Sequence, residues 1–153
     1  MKVDKEYWAS ELPRPLSPSE DDVIFFKENI IPGSKLLLGC TKKLIELSDY
    51  QMDIDPWYDG KNVIIQDWIT NNVYYDNILG DGVLNLTKKL ADDVLIMCSN
   101  NCKLFIARVF NKKLDTMRIA KNFPHFNDFN IQPTYQKIIN EEYSFYIWNF
   151  QDN

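Results

Sequence analysis

Apolar residues fall into two kinds of grouping along this chain: short continuous runs bounded by Gly, Pro, Asp or Asn, and longer stretches with three- and four-residue spacing. The first kind predicts strands buried on both faces, the second helices with one face on a core. Ser17-Pro18-Ser19-Glu20 has a serine three residues before a glutamate, a capping box, and Pro18 would sit at the first helical position. A helix is therefore expected from near Pro18, with Val23, Ile24, Phe26 and Ile30 at helical spacing, Phe25 beside them, and Pro32-Gly33 as its stop. Lys35 to Cys40 predicts a strand buried on both faces, and Thr41 to Ser48 a brief helix carrying Leu44, Ile45 and Leu47. Tyr50 to Ile54 and Asn62 to Gln66 read as a second and a third strand, separated by a turn at Pro56, Asp59 and Gly60. Tyr74 to Leu79 is a fourth strand ending at Gly80-Asp81-Gly82. Leu84 to Met97 is a helix through Leu86, Leu90, Val94 and Met97, and Lys103 to Phe110 a fifth strand.

Strands alternating with helices imply right-handed βαβ units, hence an α/β fold: a Rossmann-like, doubly wound, mostly parallel sheet with helices on both faces. Past Phe110 the pattern predicts a helix over Asn111 to Lys121, a loop over Pro124 to Asn130 that includes His125, a helix over Pro133 to Glu142 and a strand over Tyr143 to Phe150. No repeat, low-complexity stretch or linker divides the chain, so residues 1–153 are expected to form one domain. Its parts are an N-terminal segment and helix (1–33), a core (34–110) and the C-terminal part of the sheet (111–153). The aromatic tail, Tyr143, Phe145, Tyr146, Trp148 and Phe150, suits either completion of that sheet or edge pairing into a homodimer.

Composition narrows the function classes. At 153 residues and 45% hydrophobic, the chain can bury a sizeable core. It lacks the run of about 18 to 20 apolar residues that spans a bilayer, and Met1 to Glu6 lacks the apolar core of a signal peptide, so a cytoplasmic protein with no membrane partner is expected. The formal charge of −5, with no long Lys/Arg cluster, disfavours nucleic acid as a default partner. Cys40, Cys98 and Cys102 read as reduced thiols. With His125 the only histidine, no metal site is expected.

In open parallel α/β sheets, ligands bind beyond the carboxyl ends of the strands. Those ends are Gly39-Cys40-Thr41, Asp53-Ile54-Asp55, Asp67-Trp68 and Gly80-Asp81-Gly82. Gly39 either lets a ligand approach the backbone, beside free N–H groups of the next helix, or serves only as a turn. Asp53 can present two carboxylate oxygens to the vicinal hydroxyls of a ribose, or cap a helix. Asp67 can accept from an adenine amino group, with Trp68 or Trp57 as a flat wall or as part-buried core. The expectation is that all four turns converge on one nucleoside-sized crevice.

At these residues the chain resembles the class I S-adenosylmethionine-dependent methyltransferases. Lys35-Leu36-Leu37-Leu38-Gly39-Cys40-Thr41 is similar to that family's first strand and glycine motif, reduced here to Gly39 alone, and Met52-Asp53-Ile54-Asp55-Pro56 to its second-strand acid. Gln66-Asp67-Trp68 resembles the acid after the third strand, Tyr75 to Gly82 the Phe-Asp-x-Val-x-Gly-Asp-Gly phrase, and Asn101 to Ile106 the fifth strand. Arg14-Pro15-Leu16-Ser17-Pro18 resembles a segment that part of the family carries before its first helix. The resemblance implies S-adenosylmethionine as cofactor, held by Arg14, Gly39, Cys40, Thr41, Asp53, Ile54, Asp67, Trp68, Gly80, Asp81 and Gly82. Arg14 would pair with the cofactor carboxylate, or stand as a loop arginine; Gly80 and Gly82 would make room for the methionine end. Asp81 would orient the acceptor, act as general base or contact the cofactor amino group. The implied activity is methyl transfer to an unidentified acceptor. The alternative is a non-catalytic domain of this fold serving as a ligand-binding or partner module, with Phe123, Phe126 and Phe129 as an exposed apolar surface.

Overall fold

The structure, a computed structural model, describes Glu6 and residues 16–111 and 129–150. Its centre is one sheet of seven strands: β1 (Lys35–Leu38), β2 (Tyr50–Asp53), β3 (Val63–Ile65), β4 (Tyr75–Asp81), β5 (Cys102–Phe110), β6 (Tyr135–Ile138) and β7 (Tyr143–Asn149). The spatial order is β3-β2-β1-β4-β5-β7-β6. The first five strands are mutually parallel, and β7 runs antiparallel to both β5 and β6.

Alternation along β1 divides the core. Leu36 and Leu38 face Val94 and Leu95 of helix α2 (Lys88–Asn101), whereas Leu37 faces Phe26 of helix α1 (Glu20–Asn29). One helix thus packs on each face of the sheet, and both faces of the central strands are buried, as continuous apolar runs require. No helix among the described residues is long and apolar enough to cross a membrane. The helix expected over Asn111–Lys121, most of the Pro124–Asn130 loop, and Arg14, Phe123, His125 and Phe126 lie outside the described residues.

Several local expectations are corrected. The capping box is made by Ser19 and Asp22, two residues after the expected pair: Ser19 Oγ accepts from the Asp22 N–H at 3.1 Å, and the Asp22 carboxylate accepts from the Ser19 N–H at 2.8 Å. Asp22 is also the residue that the far end of the sheet grips, which selects this register. Helix α2 starts at Lys88 behind Thr87 as N-cap, and residues Val83–Asn85 form a separate 3-10 turn. The helix expected over Pro133 to Glu142 is instead the edge strand β6 and a turn. There Asn140 Oδ1 accepts from the N–H groups of Glu142 and Tyr143, and the β7 ladder outweighs local preference. Strand β7 is interior and buried on both faces, so both its edges are taken within the chain. Phe129, placed on an exposed apolar surface by the alternative, non-catalytic reading, is buried against Tyr146 and Trp148.

The observed cap register is testable by urea denaturation. Ser19→Ala should cost about 1 kcal/mol, while Ser17→Ala stays within about 0.5 kcal/mol of the parent; the reverse ranking would restore the earlier capping box.

Candidate nucleoside site at the carboxyl edge of the sheet

Strand β1 ends at Leu38, and Gly39 turns the chain with φ +83°, a conformation L side chains rarely adopt. Its N–H donates to the Met52 carbonyl at 2.7 Å, continuing the β1–β2 ladder by one bond. The same carbonyl accepts the indole N–H of Trp68, also at 2.7 Å, which lays the ring over the ends of β1 and β2. A side chain at position 39 would begin 3.7 Å from Trp68 Cζ2 and 4.0 Å from Asp53 Oδ2. Gly39, Asp53 and Trp68 therefore surround one spot, whereas the expected convergence of all four turns is not met, because the Asp67 and Asp81 carboxylates are engaged elsewhere.

Asp53 ends β2 half-buried. Its Oδ1 accepts from the Asp55 N–H at 3.1 Å. Burial pushes its carboxyl above the ordinary range, against the lowering effect of backbone donors from Asp55 and Ile54. Each carboxylate oxygen has two lone pairs, so this group retains capacity to accept from a diol. Ile54, 61% exposed, follows as an open apolar side chain beside the acid. Cys40 is buried, and burial followed by the Asp53 charge pushes its thiol up to about 12, so it stays a neutral thiol at physiological pH. Its carbonyl accepts the Trp57 indole N–H at 2.9 Å.

The remaining expected residues are placed differently. Thr41 leads into a six-residue 3-10 helix, Lys42–Leu47, whose Leu44 N–H is already donated to the Thr41 carbonyl, so no α-helical N-terminus with free donors follows β1. Asp67 is exposed, and its carboxylate caps the 3-10 turn Trp68–Thr70 through the Ile69 N–H at 3.4 Å. Gly80 lies inside β4 between Leu38 and Ala107, and a side chain there would collide with Val83.

Asp81 turns toward the α1 face, with its side chain 3% exposed. Both its oxygens are engaged by Arg108, Nε to Oδ1 at 2.8 Å and Nη2 to Oδ2 at 3.1 Å. Burial pushes the Asp81 carboxyl up while Arg108 pulls it down. Gly82 (φ +71°) donates its N–H to the Arg108 carbonyl at 2.9 Å.

Arg108 and Asp22 are not singled out by the sequence pattern, and Tyr143 enters there only as part of the aromatic tail. A signal exists: Arg108 is the one charge in the apolar run Leu104–Phe110, and such a residue in a central strand demands a buried partner. Among the described residues no group of three or more His, Cys, Asp and Glu side chains is placed to hold a metal ion.

The strand order, with its antiparallel β7, is that of the class I S-adenosylmethionine-dependent methyltransferases, and solved members share this fold. The chain is similar to magnesium protoporphyrin IX methyltransferase (ChlM) of Synechocystis PCC 6803 with bound SAH. That match has a TM-score of 0.55 and 11% identity, over 81% of this chain and 76% of that one. The N-terminal domain of EvdMO1 with SAH bound matches with a TM-score of 0.53 and 12% identity, over 95% of this chain and 83% of that one. The 16S rRNA methylase ArmA matches with a TM-score of 0.51 and 18% identity, over 86% and 80%. No protein-family model matches the chain, and no curated protein matches it in sequence.

The half-buried carboxyl of Asp53 has a thermodynamic signature. Because its folded-state pKa is raised, the native chain holds this proton more tightly than the unfolded chain. Stability therefore falls as pH rises from the ordinary carboxylate range through the raised value, and the loss is complete above it. Asp53→Asn should melt above the parent at neutral pH, with the gain shrinking toward zero in acid. Melting below the parent at neutral pH would contradict the desolvation account.

Proposed function

We propose that the chain is a doubly wound, Rossmann-like S-adenosylmethionine-dependent methyltransferase, with Asp53 as the ribose ligand. The observation that carries this reading is the meeting of Gly39, Asp53 and Trp68 at the carboxyl ends of β1 and β2. A backbone without a Cβ there lies beside a half-buried carboxylate and an indole edge, which suits a flat, diol-bearing ligand. The residues present fit the nucleoside half of the cofactor: Asp53 accepts from the ribose hydroxyls, Gly39 admits the sugar, and Ile54 and Trp68 offer apolar surface. Neighbours of the same fold crystallised with SAM or SAH support the choice of ligand.

The cofactor supplies an activated methyl group, and the protein's contribution is alignment and exclusion of water. With both oxygens of Asp81 held by Arg108, this reading gives Asp81 a structural part in the β4 turn rather than general-base work.

Isothermal titration with SAH, followed in parallel by tryptophan fluorescence, tests the reading. Saturable binding is expected, and Asp53→Ala should weaken it about 10- to 100-fold, the cost of charge-assisted hydrogen bonds to the ribose. Absence of heat at about millimolar ligand, or an Asp53→Ala variant that binds like the parent, would overturn it.

A further inference from the structure

The ends of β4 and β5 are joined by a cluster that the nucleoside half of the site does not use. The Arg108 side chain has no exposed surface. Besides its two bonds to Asp81, Nη2 donates to the Leu16 carbonyl at 2.9 Å, and Nη1 lies 3.6 Å from Asp22 Oδ2. The guanidinium carbon sits 4.8 Å from the ring centres of both Phe110 and Tyr143, and the Tyr143 hydroxyl donates to the Asp22 carboxylate at 2.9 Å. Gly82 is tied to the Arg108 carbonyl, and Asn85 bonds both the N–H and the carbonyl of Phe110, at 2.9 and 3.0 Å. The Asp81–Gly82 turn and Leu16 are thus both fixed to the end of β5.

In the strand order, β4 lies beside β1 on the side away from β2. A ligand whose ribose sits on Asp53 and whose chain crosses Gly39 therefore arrives at the Asp81–Gly82 turn. We propose that Arg108 is a positioning residue for the amino-acid half of the cofactor, acting through the backbone of that turn without touching the ligand. This rests on the nucleoside reading above. A fully buried guanidinium whose fork holds Asp81 by two bonds fixes the angle as well as the position of the turn. Lysine keeps the charge but offers a point charge on a flexible stem.

The test compares two probes on the same protein: SAH, which carries the amino-acid part, and methylthioadenosine, which lacks it. Arg108→Lys should weaken SAH about tenfold and methylthioadenosine by less than about threefold. Because both probes report on the same folded fraction, the ratio of affinities is insensitive to partial unfolding. Should Arg108→Lys fail to fold by circular dichroism, Asp81→Asn provides the second variant. It reduces two carboxylates facing one guanidinium to one, and should shift the ratio in the same direction. An unchanged ratio in the folded variant overturns the proposal while leaving the nucleoside reading intact. A parent that binds neither probe overturns both.

Discussion

Arg108 is a guanidinium buried among four elements, and burying such a charge is tolerable only where partners satisfy it. Two carboxylates, a backbone carbonyl and two aromatic faces do so here. Removing one partner of a buried pair of this kind costs about 3–5 kcal/mol, because the other charge is left without compensation. The cluster therefore constrains much beyond itself. It pins the first turn of α1 through Asp22, the end of β4 through Asp81, the start of β7 through Tyr143, and the backbone that precedes α1 through Leu16. Asp22 serves as capping residue and ion-pair partner together, which is why the α1 cap sits where it does.

A second constraint is the brevity of the connections on the β1 side. Parallel strands are usually joined by helical crossovers. Here β1 reaches β2 through a 3-10 helix, β2 reaches β3 with no helix, and β3 reaches β4 through a single 3-10 turn. Trp57 and Trp68 each donate a ring N–H to a carbonyl at the end of β1 or β2, covering those ends with rigid apolar surface while leaving Gly39 and Asp53 beside it. The polar residues of the carboxyl edge thus divide into two groups: Asp53 stands beside Gly39 and Trp68, and Asp81 belongs to the buried cluster on the α1 face.

The sheet was legible because its strands are two-sided apolar runs bounded by breakers, a pattern that Leu36–Leu38, Ile78–Leu79 and Leu104–Phe110 display without ambiguity. The Gly39–Asp53 pairing was legible too, since both positions end strands whose adjacency follows from parallel topology. What local pattern could not carry was anything decided by a distant partner. Tyr135 to Ile138 follows a proline and precedes two glutamates, a helix-like context, yet it pairs with β7. The Gly-Asp-Gly pattern suggests an Asp81 aimed at a ligand or acceptor, but its direction is set by register: it stands opposite Arg108 in the β4–β5 ladder, on the face that also holds Asp22. Two charged residues that pair across strands are far apart in sequence, and only the ladder brings them together.

The central claim is that the carboxyl ends of β1 and β2, with the neighbouring β4 turn, form one ligand site. Amide chemical-shift mapping of the isotope-labelled protein during addition of SAH tests it most directly. The account predicts saturable shifts clustered at Gly39, Cys40, Asp53, Ile54 and Gly82, with β6 and the amino ends of the strands unmoved. Shifts confined to β6 and the β7 side of the sheet, or none at saturating ligand, would contradict it.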